Sequence, residues 1–203
     1  MGDKRIKNSA SVDRAFISKT DEELAKESLT NEVCYAHLME RYEKKLMRYV
    51  MRLVSLTKED AEEIVQDIFV KTYRNLNDFD PALKFSSWVY RIAHNETISK
   101  LRKMKARPQV VDADDNKQLE KIASEMDAEQ ELDRKYTSEL IQKSLGRLDR
   151  KYQEVLILRF LEEKDYKEIS DILKKPLGTV SVLLNRAKVK LKKEIRNEAS
   201  LKT

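Results

Sequence analysis

From Thr20 onward, apolar residues recur at intervals of three and four, the repeat of helices with one buried face. "TDEELAKESL" opens with Thr20 as an N-cap, and Glu23 completes a capping box. Between Val33 and Leu56 a second helix would bury Val33, His37, Met39, Tyr42, Leu46, Tyr49, Val50 and Leu53. Thr57 then caps "TKEDAEEIVQDIFVKTYRNL", whose inward stripe is Ala61, Ile64, Val65, Ile68, Phe69, Tyr73 and Leu76. "NDFDP" breaks that helix. Ser86 or Ser87 caps the next one, within "KFSSWVYRIAHNETISKLRK", and Pro108 lies just beyond its end.

The pattern then fades. Leu119, Ile122, Met126 and Leu132 hint at helix, and clear periodicity returns after Ser138 with Leu140, Ile141, Leu145 and Leu148. Asp149 caps "DRKYQEVLILRFLEE". Asp165 and Glu168 cap a short helix with Tyr166, Ile169, Ile172 and Leu173 inward. Lys174 to Gly178 makes a turn, and Thr179 caps a last helix. There Val180, Leu184, Ala187, Leu191 and Ile195 share an arc of roughly 80° at about 100° per residue. Residues 1–19 and 198–203 read as tails, the first of them mobile.

Composition agrees with an all-α fold, since only three Gly and three Pro in 203 residues leave little for the turns of a sheet. The net charge of +5 says less than its distribution. Residues 84–107 carry seven Lys/Arg against Glu96 alone, and 164–196 carry ten against four acids. The stretch 108–135 between them holds nine acids and four bases. Two basic blocks split by an acidic one predict two anion-binding helical modules and a connector. A single cysteine excludes an internal disulfide. Cys34 and His37 alone make no metal site, and no metal or cofactor is expected. No signal peptide or membrane-length apolar run is present, so a cytoplasmic location without membrane insertion is expected.

Chemistry concentrates at two places. In the C-terminal module a helix, a Gly-containing turn and a basic helix read as a helix-turn-helix, although an ordinary helical hairpin shares the pattern. The outer arc of its second helix begins with Ser181, Val182, Asn185 and Arg186, where base edges are usually met. Lys188, Lys192 and Lys193 suit phosphates. In the first module, a helical wheel gathers Trp88, Arg91, Asn95 and Arg102 within roughly 60°, opposite Val89, Tyr90, Ala93, Thr97 and Leu101. Cations with a ring and an amide fit unpaired bases better than duplex. The alternatives are a core Trp88 and a solvated Asn95. No nucleophile–base pair and no G-x-x-x-x-G-K-[ST] loop points to an enzyme. A conventional duplex-binding repressor would leave the Trp88 face and the acidic helix after Thr57 unused.

Taken in order, "TDEEL", "EDAEEIVQDIFVKTYRNL", "FSSWVYRIAHN" and "YKEISDILKKPLGTVSVLLNRAKVKLKK" resemble the bacterial RNA polymerase sigma factors of the extracytoplasmic-function (ECF) type, over about Thr20 to Arg196. The resemblance implies a polymerase-docking and minus-ten domain over 20–107, an acidic linker over 108–136 and a minus-thirty-five domain over 137–197. It implies that Asp60, Glu63, Gln66 and Asp67 dock on the clamp helices of the largest polymerase subunit, and that the second domain meets the flap of the second-largest. Phe79, Lys84, Phe85, Ser86, Trp88, Arg91, Asn95 and Arg102 would serve the minus-ten DNA. Lys174, Lys175, Thr179, Ser181, Val182, Asn185, Arg186 and Lys188 would serve the minus-thirty-five DNA. Such recognition helices commonly carry a base where Ser181 and Leu183 stand, so the promoter sequence does not follow. A regulator, if there is one, would be a separate anti-sigma chain.

Overall fold

A computed structural model describes residues 16, 18–54, 56–104 and 134–200, without the side chains of 104, 134–139, 199 and 200. Every regular element among them is helical: α1 (Asp21–Glu27), α2 (Glu32–Leu53), α3 (Lys58–Arg74), a 3-10 turn (Leu76–Asp78), α4 (Phe85–Met104), α5 (Arg134–Gly146), α6 (Arg150–Leu156), a π-helical turn (Ile157–Leu161), α7 (Tyr166–Leu173) and α8 (Leu177–Ser200). They fall into two compact units. One holds the chain up to Val50 with Glu59–Lys103, the other Met51–Lys58 with the chain from Met104 onward. The expected connector up to residue 133, including Pro108, Leu119, Ile122, Met126 and Leu132, lies outside the described residues.

In the first unit, α1 starts as its sequence dictates. Thr20 accepts the Glu23 amide at 3.2 Å and the Glu23 carboxylate accepts the Thr20 amide at 2.8 Å. Leu38, Tyr42, Leu46, Tyr49 and Val50 of α2, Ala61, Ile64, Val65 and Ile68 of α3 and Phe85, Val89, Tyr90 and Ala93 of α4 are buried, with Tyr42 meeting Phe85 at 5.5 Å and Tyr49 meeting Tyr90 at 5.1 Å between ring centres. Polar atoms at the edge of this core are satisfied. The Tyr42 hydroxyl donates to Asp21 at 2.5 Å, Tyr35 donates to the Phe69 carbonyl at 2.5 Å, and Tyr49 meets His94 Nδ1 at 3.1 Å.

Several expectations are corrected. Val33 and Tyr73, assigned to inward stripes, are 51% and 45% exposed, because they lie at the open ends of α2 and α3. Neither Ser86 nor Ser87 caps α4, since both lie inside it. A carboxylate from another helix takes that place: Glu22 of α1 accepts the Phe85 amide at 2.8 Å. The end of the segment read as an N-terminal tail is held against α2. Phe16 stacks on His37 at 4.4 Å, and Arg41 donates to the carbonyls of Phe16 at 2.6 Å and Lys19 at 3.0 Å.

In the second unit, α8 packs on α5, α6 and α7. Its inward line of Val180, Leu184, Ala187 and Leu191 is fully buried with Val155, Leu156 and Ile169. α7 has the expected capping box, Asp165 accepting the Glu168 amide at 2.8 Å. Asp149 stands at the N-cap of α6, but its side chain accepts no capping bond. Tyr166, expected inward, is 37% exposed. Helix α5 begins at Arg134, earlier than the pattern after Ser138 suggests, and α8 extends to Ser200, into the expected C-terminal tail.

Candidate polymerase and nucleic-acid interfaces

Helix α3 separates its charges from its core cleanly. Ala61, Ile64, Val65 and Ile68 are buried, whereas Glu63, Gln66 and Asp67 are exposed and Asp60 is half-buried. Glu63 is engaged across the surface: Lys100 of α4 donates to it at 2.5 Å. Lys71 pairs likewise with Glu96. These two pairs, of opposite polarity, tie α3 to α4. Between the two helices runs a cleft of about 310 Å³ lined by Ile64, Asp67, Glu96, Ser99, Lys100 and Lys103. Lys100 and its pairing were missed in the sequence, because a pair 37 residues apart leaves no local signal.

On α4 the wheel is right for the polar residues and wrong for the ring. Asn95 and Arg102 are exposed and Arg91 is half-buried. Trp88, however, is only 8% exposed. It lies 5.3 Å from Phe79 and 5.6 Å from Phe85, measured between ring centres. Phe79 and Phe85 are themselves buried. Of the two alternatives for Trp88 the core one holds, and Phe79 and Phe85, which the resemblance implies for the minus-ten DNA, are buried with it. A wheel reports only the neighbours of a regular helix. It does not see the segment after α3 folding back, so that Phe79 covers the first turn of α4. What this segment leaves outside is Lys84, exposed, and Ser86, half-buried. Leu83 beside them is 51% exposed, and the sequence reading passed over it.

The turn between α7 and α8 is built differently from its sequence reading. The left-handed residue is Lys174, with φ of 52°, and not a glycine. Ser170 holds it, donating through Oγ to the Lys175 carbonyl at 2.6 Å and accepting the Lys175 amide on its own carbonyl at 3.2 Å. Pro176 precedes the first residue of α8 and its carbonyl accepts the Val180 amide at 3.1 Å. Gly178 and Thr179 thus lie within the helix, and Thr179 is not its cap.

Lys174, Thr179, Val182, Asn185 and Arg186 are exposed on this edge, with Lys175 and Ser181 half-buried. Lys188 turns aside, its Nζ 5.1 Å from the centre of the Phe160 ring. Of the Cys34–His37 pair set aside as a metal site, Cys34 is buried with its thiol 3.4 Å from Glu27, and burial pushes that thiol's pKa up. His37 lies under Phe16.

The family model for Sigma-70 region 2 matches residues 38–107, and that for Sigma-70 region 4 matches 138–191. The ECF RNA polymerase sigma factor SigW of Bacillus subtilis is 32% identical over 171 residues, covering 80% of this chain and 89% of SigW. This chain belongs to the ECF sigma factor family. As such it acts with core RNA polymerase in promoter recognition and transcription initiation, and members of the family are initiation factors. A second relative of the sigma factor, YlaC of Bacillus subtilis, is 32% identical over 158 residues, or 78% of this chain and 90% of YlaC. The fold of this chain resembles that of CnrH, solved in complex with the cytosolic domain of CnrY, with a TM-score of 0.65 at 22% identity over 88% of this chain and 99% of that one. No described helix is long and apolar enough to cross a membrane.

Proposed function

We propose that this sigma factor divides its work between the two helical units, with residues 20–107 docking on polymerase and opening the minus-ten DNA, and 137–197 reading the minus-thirty-five duplex. The observation that carries this is the segregation on α3, where Glu63, Gln66 and Asp67 stand outside a fully buried apolar stripe. Exposed acids on a rigid helix suit the basic clamp helices of the largest polymerase subunit. Asp60 extends the same surface. The second unit would meet the flap of the second-largest subunit.

For the minus-ten DNA the reading rests on the polar half of the α4 surface: Lys84, Ser86, Arg91, Asn95 and Arg102. Here the cations hold phosphates and Asn95 hydrogen-bonds an unpaired base. Phe79, Phe85 and Trp88 support that surface from beneath. Lys174, Lys175, Thr179, Ser181, Val182, Asn185 and Arg186 form the duplex-reading edge, with Lys188 at its margin. The factor brings no catalytic chemistry of its own and works in the cytoplasm, at the nucleoid when bound to polymerase. A separate anti-sigma chain is the regulator this reading admits. CnrH, similar in fold, was solved with a cytosolic domain of CnrY. Co-purification with core polymerase, followed by transcription from genomic fragments, tests the proposal. Specific initiation by the reconstituted enzyme is expected, and failure to bind core would reject it.

A further inference from the structure

The outermost line of α8 is unusual for an exposed helix surface. Gly178, Val182 and Val189 fall within about 40° of one another, on a line that also carries Asn185 and Arg196, directly opposite Val180, Leu184, Ala187 and Leu191. Val182 is 48% exposed and Val189 72%. Where packing does not decide, helix surfaces ordinarily carry strong helix formers, and glycine and valine are not among them. Nor does the fold need glycine at 178. It has no positive φ, and a Cβ added there would meet no atom within 4 Å. Val189 shows that an exposed valine alone marks no contact; what sets Gly178 and Val182 apart is their place on the helix.

Both stand in the first two turns of the second helix of a helix-turn-helix, the part that enters a major groove. There the apolar feature on the base edges is the thymine 5-methyl group. Resting on the reading of α8 as the duplex-binding helix, we propose that Val182 is a specificity residue that packs on thymine methyl groups of the upstream promoter element. Gly178 is the clearance, one turn earlier, that lets the backbone come close enough for this contact. Asn185 and Arg186, exposed on either side, supply the polar part of the readout. Val189 lies about 10 Å further along the axis at 1.5 Å per residue, away from the first turns, and reads nothing.

The test uses polymerase reconstituted with the full chain and a promoter fragment that it transcribes. Upstream thymines are replaced singly by deoxyuridine, which removes only the methyl group, and binding is measured by competition. Wild type should lose about fourfold for each methyl group it buries. Val182→Ala should bind the thymine fragment more weakly and be indifferent to uracil, while Val189→Ala keeps the wild-type uracil penalty. Gly178→Ala should raise the melting temperature, since alanine is the better helix former, and yet weaken binding of the same fragment. Wild type indifferent to uracil at every position, or Val182→Ala with the full penalty, overturns the methyl contact. Gly178→Ala binding like wild type overturns the clearance. Failure of the underlying reading looks different: scrambling the whole upstream element would then leave wild-type binding unchanged.

Discussion

Trp88 and Asn95 are two turns apart on α4, and their fates differ because only one has a neighbour the helix itself does not supply. Trp88 is sealed by Phe79 and Phe85, so Trp88→Ala should cost about 3–5 kcal/mol of stability, as large-to-small changes in aromatic cores do. Urea melts of the full chain check this. Asn95 is exposed, and Asn95→Ala should leave folding nearly unchanged. It should also leave closed-complex binding intact, because phosphate contacts supply most of that affinity. Strand opening should fall about five- to hundredfold, the worth of one base contact. Permanganate reactivity of the minus-ten thymines reports it directly. Equal opening by wild type and Asn95→Ala would make this asparagine a solvated amide. The polar members of the site were legible in the sequence because exposure follows from helical phase. The aromatic members were not, since their burial depends on an irregular segment whose path no periodicity encodes.

Helices were legible where their ends carry local chemistry. Thr20 with Glu23 and Asp165 with Glu168 cap α1 and α7 as their spacing requires. The starts of α4 and α8 were misplaced because what closes them is not a side chain within the first turn: Glu22 reaches α4 from α1, and Pro176 precedes α8. Helix α6 hides a feature that its sequence did not disclose. Glu154 is buried between Gln153 and Val155, and burial raises its carboxyl pKa against the lowering pull of Arg150 and Lys175. A carboxyl that ionises later in the folded chain than in the unfolded one makes folding less favourable as pH climbs above its ordinary value. Glu154→Gln should therefore be more stable than wild type at neutral pH, with the advantage shrinking as pH falls toward 4.5 and lost below it. Paired thermal melts across that range check it, and a difference that does not vary with pH would mean that its neighbours cancel the cost of burial. On α3, Glu63→Lys with Asp67→Lys should weaken core binding strongly. The melting temperature should move little, because the exposed Lys100–Glu63 pair contributes about 0–1 kcal/mol. Undiminished affinity for core would remove α3 from the docking surface.

At the scale of the whole molecule, the proposed division of labour assigns two kinds of DNA contact to two basic blocks, residues 84–107 in the first unit and 164–196 in the second. The second unit presents a helix edge suited to duplex, and the first presents cations with an amide suited to separated strands. Opening about ten base-pair steps costs on the order of 14 kcal/mol at roughly 1.4 kcal/mol per step. No fuel is required if captured bases return about 1–3 kcal/mol each and polymerase adds phosphate contacts. The division of labour then has a signature that neither unit alone would give. A promoter mismatched across the minus-ten region has its unpairing cost removed in advance. On that template Asn95→Ala should initiate nearly as well as wild type, because the step it impairs is already done. Arg186→Ala should remain impaired there, since duplex readout upstream is untouched by the mismatch. Its loss should be about 1–3 kcal/mol, confined to promoters with one base identity at the contacted position if the guanidinium is bidentate to a base. Run-off transcription on matched and mismatched templates distinguishes the two variants. Should the bubble rescue both equally, or neither, strand opening and upstream readout are not divided between α4 and α8 in the way their surfaces indicate.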